Sequence, residues 1–522
     1  MACTGQPWRR GLLTAAAVGV LTAASACSAG HPARATGELA AGTQARPGTP
    51  SCPSTYAAPD PDRPRTRLVF DVAADLGTVT GHEHVVFTPD AGIDSVVFRL
   101  LPNGIESHRT AGDLRVTGAA VVVGTGGSDS GAPAPLPAPP AADYTSAGAR
   151  PGTPGTILRL ALPRPVRAGE PVVVDLDFTL TLPPAGFDRY GHDATSAWWG
   201  SGHPLLAWVR GHGWATDPVA AVPAETAASE AADTDLTVTA PAELSVLASG
   251  VAERPADAGP GRQRWHFHSP TARDVGVMIS AFRLATATVA GVAVQVGVAT
   301  GVSGPAAEAQ PAASPSPSAG PAGGQPTDQL AADVLSAVAA NLPAQAARYG
   351  PVPFAAVSLA LLPGLGGAGV EYPGAIMLGP SADYSVVAHE LAHQWFYGLV
   401  GDDQGAHPWL DEGFATYDAA IQTGSTTQYS DALSQVSDRV DQPTTAFGDG
   451  PDTEARYNDV VYTKAAAALL AARSAAGTAA FDAAMRCYVR ANAWRVVDPS
   501  DVERAFAPLP AALTELRLAG AV

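Results

Sequence analysis

The stretch Val386 to Phe396 reads Val-Val-Ala-His-Glu-Leu-Ala-His-Gln-Trp-Phe and contains HExxH, with His389, Glu390 and His393 in its fixed positions. On a helix, residues i and i+4 share one face. His389 and His393 can therefore offer imidazole nitrogens to one ion, with Glu390 beside them at the open coordination position. Two histidines do not complete a catalytic site, which takes three protein ligands and a water. Gly401 and Pro408 bound a turn-like stretch, and Trp409-Leu410-Asp411-Glu412-Gly413-Phe414-Ala415 then opens a second helix. Folded back on the first, it would turn Glu412 toward the pair. Two imidazoles and a carboxylate suit zinc, and other divalent ions as well.

Around this pair the pattern from Gln329 onward is helical, over Gln329 to Asn341, Ser381 to Val400, Trp409 to Ile421, Val461 to Arg473 and Phe481 to Asn492. A strand-like run, Ala355 to Leu362, lies among them, which makes this part an α+β domain. Before it, from Leu68 to about Phe282, short β-branched and aromatic runs such as His84-Val85-Val86-Phe87 and Val172-Val173-Val174-Asp175-Leu176 are broken by Gly, Pro and Asp. They read as a mainly antiparallel β domain. We place that domain at 61–302, with a low-complexity insertion at about 126–155, a Pro/Ala/Ser-rich linker at 303–326 and the helical domain at 327–515.

The N-terminus carries Arg9 and Arg10, an apolar run from Leu12 to Ala26, and Cys27. Residues 1–26 read as a signal peptide, and Ala24-Ser25-Ala26-Cys27 resembles a lipobox whose cysteine is lipidated after cleavage. Export, as a bacterial membrane lipoprotein or a secreted protein, follows, with 27–60 as a flexible tether. Once Cys3 is removed and Cys27 is lipidated, Cys52 and Cys487 remain. Nothing in the sequence brings them together, so two unpaired thiols are expected rather than a disulfide framework. The chain has 49 acidic and 31 basic residues, a net charge of −18, and its single lysine is Lys464. No basic run marks a nucleic-acid face.

From Ala388 to Tyr417 the sequence resembles the gluzincin metallopeptidases of the aminopeptidase N type. Their signature is HExxH, eighteen intervening residues, and Glu in a WLNEGFA-like motif, matched here by WLDEGFATY. The resemblance implies a thermolysin-like peptidase domain. In it one Zn2+ is held by His389, His393 and Glu412, and Glu390 is the general base. A second family motif, Tyr-x-Lys-Gly, has its counterpart in Tyr462-Thr463-Lys464-Ala465, which makes Tyr462 the oxyanion donor. The family's GAMEN motif corresponds to Gly369-Val370-Glu371-Tyr372-Pro373 and assigns Glu371 to the substrate's free amine. The implied activity is hydrolysis of N-terminal bonds of extracellular peptides. Only sixteen residues follow Phe506, too few for the large C-terminal helical domain of the long relatives. An endopeptidase on the same core, or a non-catalytic zinc-stabilised surface binding protein, are the alternatives.

Other candidates are weaker. His82 with His84 and His266 with His268 share strand faces but have no third ligand nearby in sequence, so they read as face histidines. His407 reads as a cleft-lining residue between the two metal-site helices. Trp198, Trp199, Trp208 and Trp214 read as packing residues.

Overall fold

The computed structural model describes residues 52–104, 112–124, 143–186, 188–222, 227–302 and 327–522. The leader 1–26, Cys27, most of the insertion (125–142) and the linker 303–326 lie outside the described residues.

Period-two alternation builds the N-terminal part. In Arg65–Val72 the side chains of Leu68, Phe70 and Val72 are buried, and in Thr78–Phe87 those of Val79, Glu83, Val85 and Phe87 are. Across the largest sheet the order is Val251–Ala252, Arg262–Ala272, Ala232–Pro241, Arg65–Val72, Thr78–Phe87, Val172–Thr181 and Asp113–Val123, with Ala256–Asp257 as an eighth strand. Neighbours run antiparallel except Arg65–Val72 with Ala232–Pro241. Two four-stranded sheets share its core, in which Phe70 meets Trp199 edge-on with ring centroids 5.3 Å apart. Trp208 and Trp214 pair at 4.7 Å, so the tryptophans are packing residues.

Residues 283–298, expected in the β domain, belong elsewhere. Arg283–Val289 and Val292–Val298 form a hairpin, and its second strand pairs in parallel with Ala356–Leu361. A five-stranded sheet results, continued by Ala375–Leu378 and an antiparallel edge strand, Gly369–Tyr372. Helix α1 (Thr327–Tyr349) lies between the two parallel strands in sequence, as a parallel crossover requires. The misreading has a plain cause: a β-hairpin looks the same in sequence whichever sheet it joins.

Helix α2 (Tyr384–Ala392) is shorter than expected. The chain leaves it through Tyr397, whose φ of 92° is incompatible with continued helix. Helix α3 (Glu412–Thr423) follows a short 3-10 turn at Pro408–Leu410 and ends at Gly424, whose φ is 70°. Gly413 lets α3 approach the helix Ala465–Ala476, since a Cβ there would lie 2.6 Å from Ala465 Cβ. Buried Asp418 ties α3 to α1, accepting from Gln345 Nε2 and Tyr349 OH, each at 2.7 Å, and pairing with Arg348. Two further helices, Pro499–Phe506 and Pro510–Leu518, close the described chain, three residues past the expected boundary.

Cys52 and Cys487 form a disulfide across 435 residues of sequence, which overturns the expectation of unpaired thiols. It also overturns the tether reading for residues 52–60. Ala57 N donates to Arg490 O at 2.9 Å, Arg490 donates to Pro53 O at 3.1 Å, and Trp395 Nε1 donates to Tyr56 OH at 3.0 Å. These contacts lay the segment along the helix Thr478–Ala491, where Cys487 sits. A crosslink closing so long a loop contributes about 2–5 kcal/mol by restricting the unfolded chain.

His203 is buried between Glu83 Oε2, 3.4 Å from its Nδ1, and Asp274 Oδ1, 3.5 Å from its Nε2. Burial opposes charge on the ring, but the two carboxylates outweigh it and push His203 up to about 10. A raised imidazole pKa stabilises the fold fully below the unfolded value of about 6.5 and ceases to do so as pH climbs through about 10. Denaturant midpoints should therefore fall between pH 7 and 10, and fall less in His203→Gln. Equal slopes in the two proteins would show that His203 carries no such charge.

Candidate active site

Asp383 starts α2 by accepting hydrogen bonds from Ser385 N at 2.8 Å and Val386 N at 3.1 Å. Val387, Ala388, Leu391 and Ala392 bury one side of the helix, and the remaining face carries the histidines toward α3. His389 Nε2 and His393 Nε2 lie 3.0 Å apart. Glu412 Oε2, from the first turn of α3, is 3.0 Å from His389 Nε2 and 3.5 Å from His393 Nε2. Three donors of the right type thus converge on one point and fit a divalent metal.

Each member is held from behind. Glu412 Oε1 accepts the Tyr462 hydroxyl at 2.6 Å, and the Tyr462 ring stacks on His389 at 5.9 Å. Tyr462 sits in a π-helical stretch, Asn458–Lys464, an irregularity found mostly at functional sites. Asp411 takes the Nδ1 side of His393 in a short hydrogen bond, and Thr416 Oγ1 lies 3.5 Å from His389 Nδ1. Carboxylate, imidazole and metal position in a row fix the imidazole's tautomer and raise its basicity.

Glu390 is 4% exposed, and its Oε2 has no hydrogen-bond partner among the described residues. Gly369 of the edge strand makes room for it, since a Cβ at that position would lie 2.4 Å from Glu390 Cδ. Burial raises the Glu390 carboxyl to about 7, against the pull of His389 and His393. Burial also acts on Glu412, but the hydrogen bonds from both histidines outweigh it and hold that carboxyl well below its usual range. Glu371, two residues along the edge strand from Gly369, is buried and can share a cluster with Glu390 and His393. A cleft of about 500 Å³ opens onto this group, lined by His389, Glu390, Glu412, Glu371 and Tyr462 and, from the β domain, by Asp188 and Arg189.

Every residue expected from the sequence is therefore in one place except Cys27, which lies outside the described residues, and His407. The His407 ring pairs with Asp441 at 2.7 Å and faces a separate cavity of about 260 Å³. The face histidines have carboxylate partners on neighbouring strands, His82 with Asp177 at 2.8 Å and His84 with Asp175 at 2.7 Å. Sequence reasoning missed Asp411, Gln404 and the Asp188-Arg189 wall. Asp411 was open to discovery, because a metal-ligating histidine calls for an acceptor on its second nitrogen.

Two imidazoles one turn apart, a carboxylate from the next helix and a buried glutamate beside them define a mononuclear metal centre of hydrolytic type. Residues 381–515 match the Peptidase family M1 domain. Aminopeptidase M1 of Arabidopsis thaliana is 56% identical over 41 residues, 8% of this chain. Aminopeptidase N of Haemonchus contortus is 29% identical over 136 residues, 23% of this chain. The matches span 5% and 14% of those relatives' lengths. Among solved structures, the M1 zinc metallopeptidase from Deinococcus radiodurans shares the fold with a TM-score of 0.59 at 20% identity, over 88% of this chain and 92% of that one. A mutant of that protein bound to a Tyr-Ser-Ala substrate gives the same TM-score at 21% identity, over 88% and 94%.

Asp411→Ala should lower zinc affinity by about 10–100-fold while leaving one site per chain. Competition with a chromogenic chelator measures this. Undiminished affinity would remove Asp411 from the centre.

Proposed function

We propose that the chain is an exported zinc aminopeptidase that removes N-terminal residues from extracellular peptides. The observation that carries this reading is the cleft lined by His389, Glu412, Glu390 with its unpartnered oxygen, and Glu371, with the His393 donor buried directly behind it.

Zinc held there supplies a Lewis acid that polarises the scissile carbonyl and makes water nucleophilic near neutral pH. Glu390 takes the water's proton and returns it to the leaving amine, a task suited to a carboxyl whose pKa is near 7. The Tyr462 hydroxyl turns its hydrogen bond from Glu412 toward the substrate oxygen as negative charge develops there. Glu371 receives the substrate's ammonium in a charge-assisted hydrogen bond, which selects peptides with a free N-terminus. The peptide bound to the structurally similar Deinococcus radiodurans mutant supports a short peptide as substrate.

Purified protein loaded with zinc should release a fluorogenic amine from unblocked aminoacyl substrates. A chelator should abolish turnover, and Glu390→Gln should lower it by about 10²–10⁴-fold. N-acetylated peptides should be poor substrates. If they are cleaved as well as free ones, and Glu371→Ala leaves internal cleavage intact, the enzyme is an endopeptidase. No turnover on any substrate despite bound zinc would leave the binding-protein reading.

The Cys52–Cys487 disulfide supports an oxidising, extracytoplasmic location. With Cys27 as a lipid anchor, Cys27→Ala should move the protein from the membrane fraction to the soluble one. Identical fractionation of mutant and wild type would exclude lipidation.

A further inference from the structure

Gln404 lies in the loop between α2 and α3 and is 1% exposed. Its backbone N donates to Ala227 O at 3.2 Å, and its side-chain Oε1 accepts from Ala227 N at 3.1 Å. Ala227 belongs to the segment that leads into the β-domain strand Ala232–Pro241. Because a backbone N–H occupies Oε1, the amide cannot flip, and its NH2 group must face the opposite way.

On that side stand two buried carboxylates. Gln404 Nε2 donates to Asp411 Oδ2 at 2.7 Å and lies 3.5 Å from Glu371 Oε1. Asp411 holds the Nδ1 side of His393, and Glu371 is the proposed seat of the substrate's ammonium. One neutral amide therefore stands between the carboxylate that orients a metal ligand and the carboxylate that anchors the amine.

We propose that Gln404 is a positioning residue that sets the distance between the metal centre and the substrate's N-terminus, and that its own orientation is set by the β domain. The inference rests on the aminopeptidase reading for the role of Glu371. The residue type follows from charge. Both carboxylates serve cations, the His393–metal unit on one side and the ammonium on the other. A Lys or Arg between them would compete for both. A Glu would add a third carboxylate and leave no donor. Only a neutral side chain with a fixed NH2 group satisfies one carboxylate, faces the other and leaves their charges in place.

The test compares Gln404→Leu, Gln404→Glu and Glu371→Gln with wild type. Zinc affinity is read by chelator competition, KM and kcat on free and N-acetylated aminoacyl amides, and metal-free melting by circular dichroism. Both Gln404 variants should weaken zinc binding by about tenfold. They should also raise KM for free-amine substrates by about fivefold or more relative to N-acetylated ones. A purely structural role would lower the melting temperature and leave the ratio of the two KM values unmoved. Should Gln404→Leu fail to fold, Gln404→Glu decides, since it keeps the volume and the acceptor facing Ala227. Zinc affinity and KM ratio both within twofold of wild type would overturn the proposal. Weakened zinc binding with an unmoved KM ratio overturns the link to Glu371 and confines Gln404 to Asp411. If instead Glu371→Gln leaves the KM ratio unchanged, it is the aminopeptidase reading that fails.

Discussion

The Glu412 carboxylate is the contact on which the site depends. Its two oxygens reach three side chains: His389 of α2, His393 that caps the end of α2, and Tyr462 of the π-helical stretch. A buried carboxylate is costly unless it is paired and hydrogen-bonded, so the packing of α2, α3 and the Tyr462 segment must keep these donors in reach. The small residues at that junction follow from this demand. Gly413 admits the helix that continues from Tyr462, and Gly369 admits the Glu390 side chain. Chemistry at the centre therefore fixes backbone positions where nothing but hydrogen fits.

The β domain is part of the same construction. Ala227 orients Gln404, and Asp188 and Arg189 wall the cleft. Asp188 has a φ of 60°, a conformation that non-glycine residues adopt at a cost of about 1–3 kcal/mol. Arg273 lies against Gly401, where a Cβ would sit 2.0 Å from its Cζ, and donates to Ser229 O at 2.6 Å. With the hairpin Arg283–Val298 joined to the catalytic sheet, the boundary between the two parts is crossed by chain, hydrogen bonds and packing alike. A cleft walled from both sides keeps its shape only while that boundary is rigid.

How much of this the sequence disclosed depended on how local each interaction is. The four-residue spacing of His389 and His393 is a property of any helix, so the metal pair was legible before any tertiary contact was known. Glu412 needed one further step, a helix folding back, and Tyr462 and Glu371 needed family motifs. Gln404 stayed hidden because its role is defined by Ala227, 177 residues away. Cys52 and Cys487 were hidden more deeply, since nothing near either cysteine encodes a contact across 435 residues. Residues 283–298 fell within the expected β domain only through its boundary at 302, and their hairpin joins the other sheet, because alternation encodes pairing and not the partner.

Two carboxylates in one cleft come to differ sharply in the absence of any difference in chemistry. Glu390 and Glu412 are both glutamates and both almost fully buried. Burial acts against the charge of Glu412, but the hydrogen bonds and charges of His389 and His393 outweigh it, while the Tyr462 hydroxyl takes up the other oxygen. Glu390 stands one residue along α2 from His389 with one oxygen unpartnered, so burial prevails and the carboxyl rises to about 7. A ligand must remain an anion and a base must exchange a proton, and environments that push two like groups apart separate those duties. The hydroxyl of Tyr462 and the missing side chain of Gly369 are thus two halves of one device. The first holds one oxygen of Glu412 in place, and the second makes room for Glu390 where burial outweighs the pull of the two histidines.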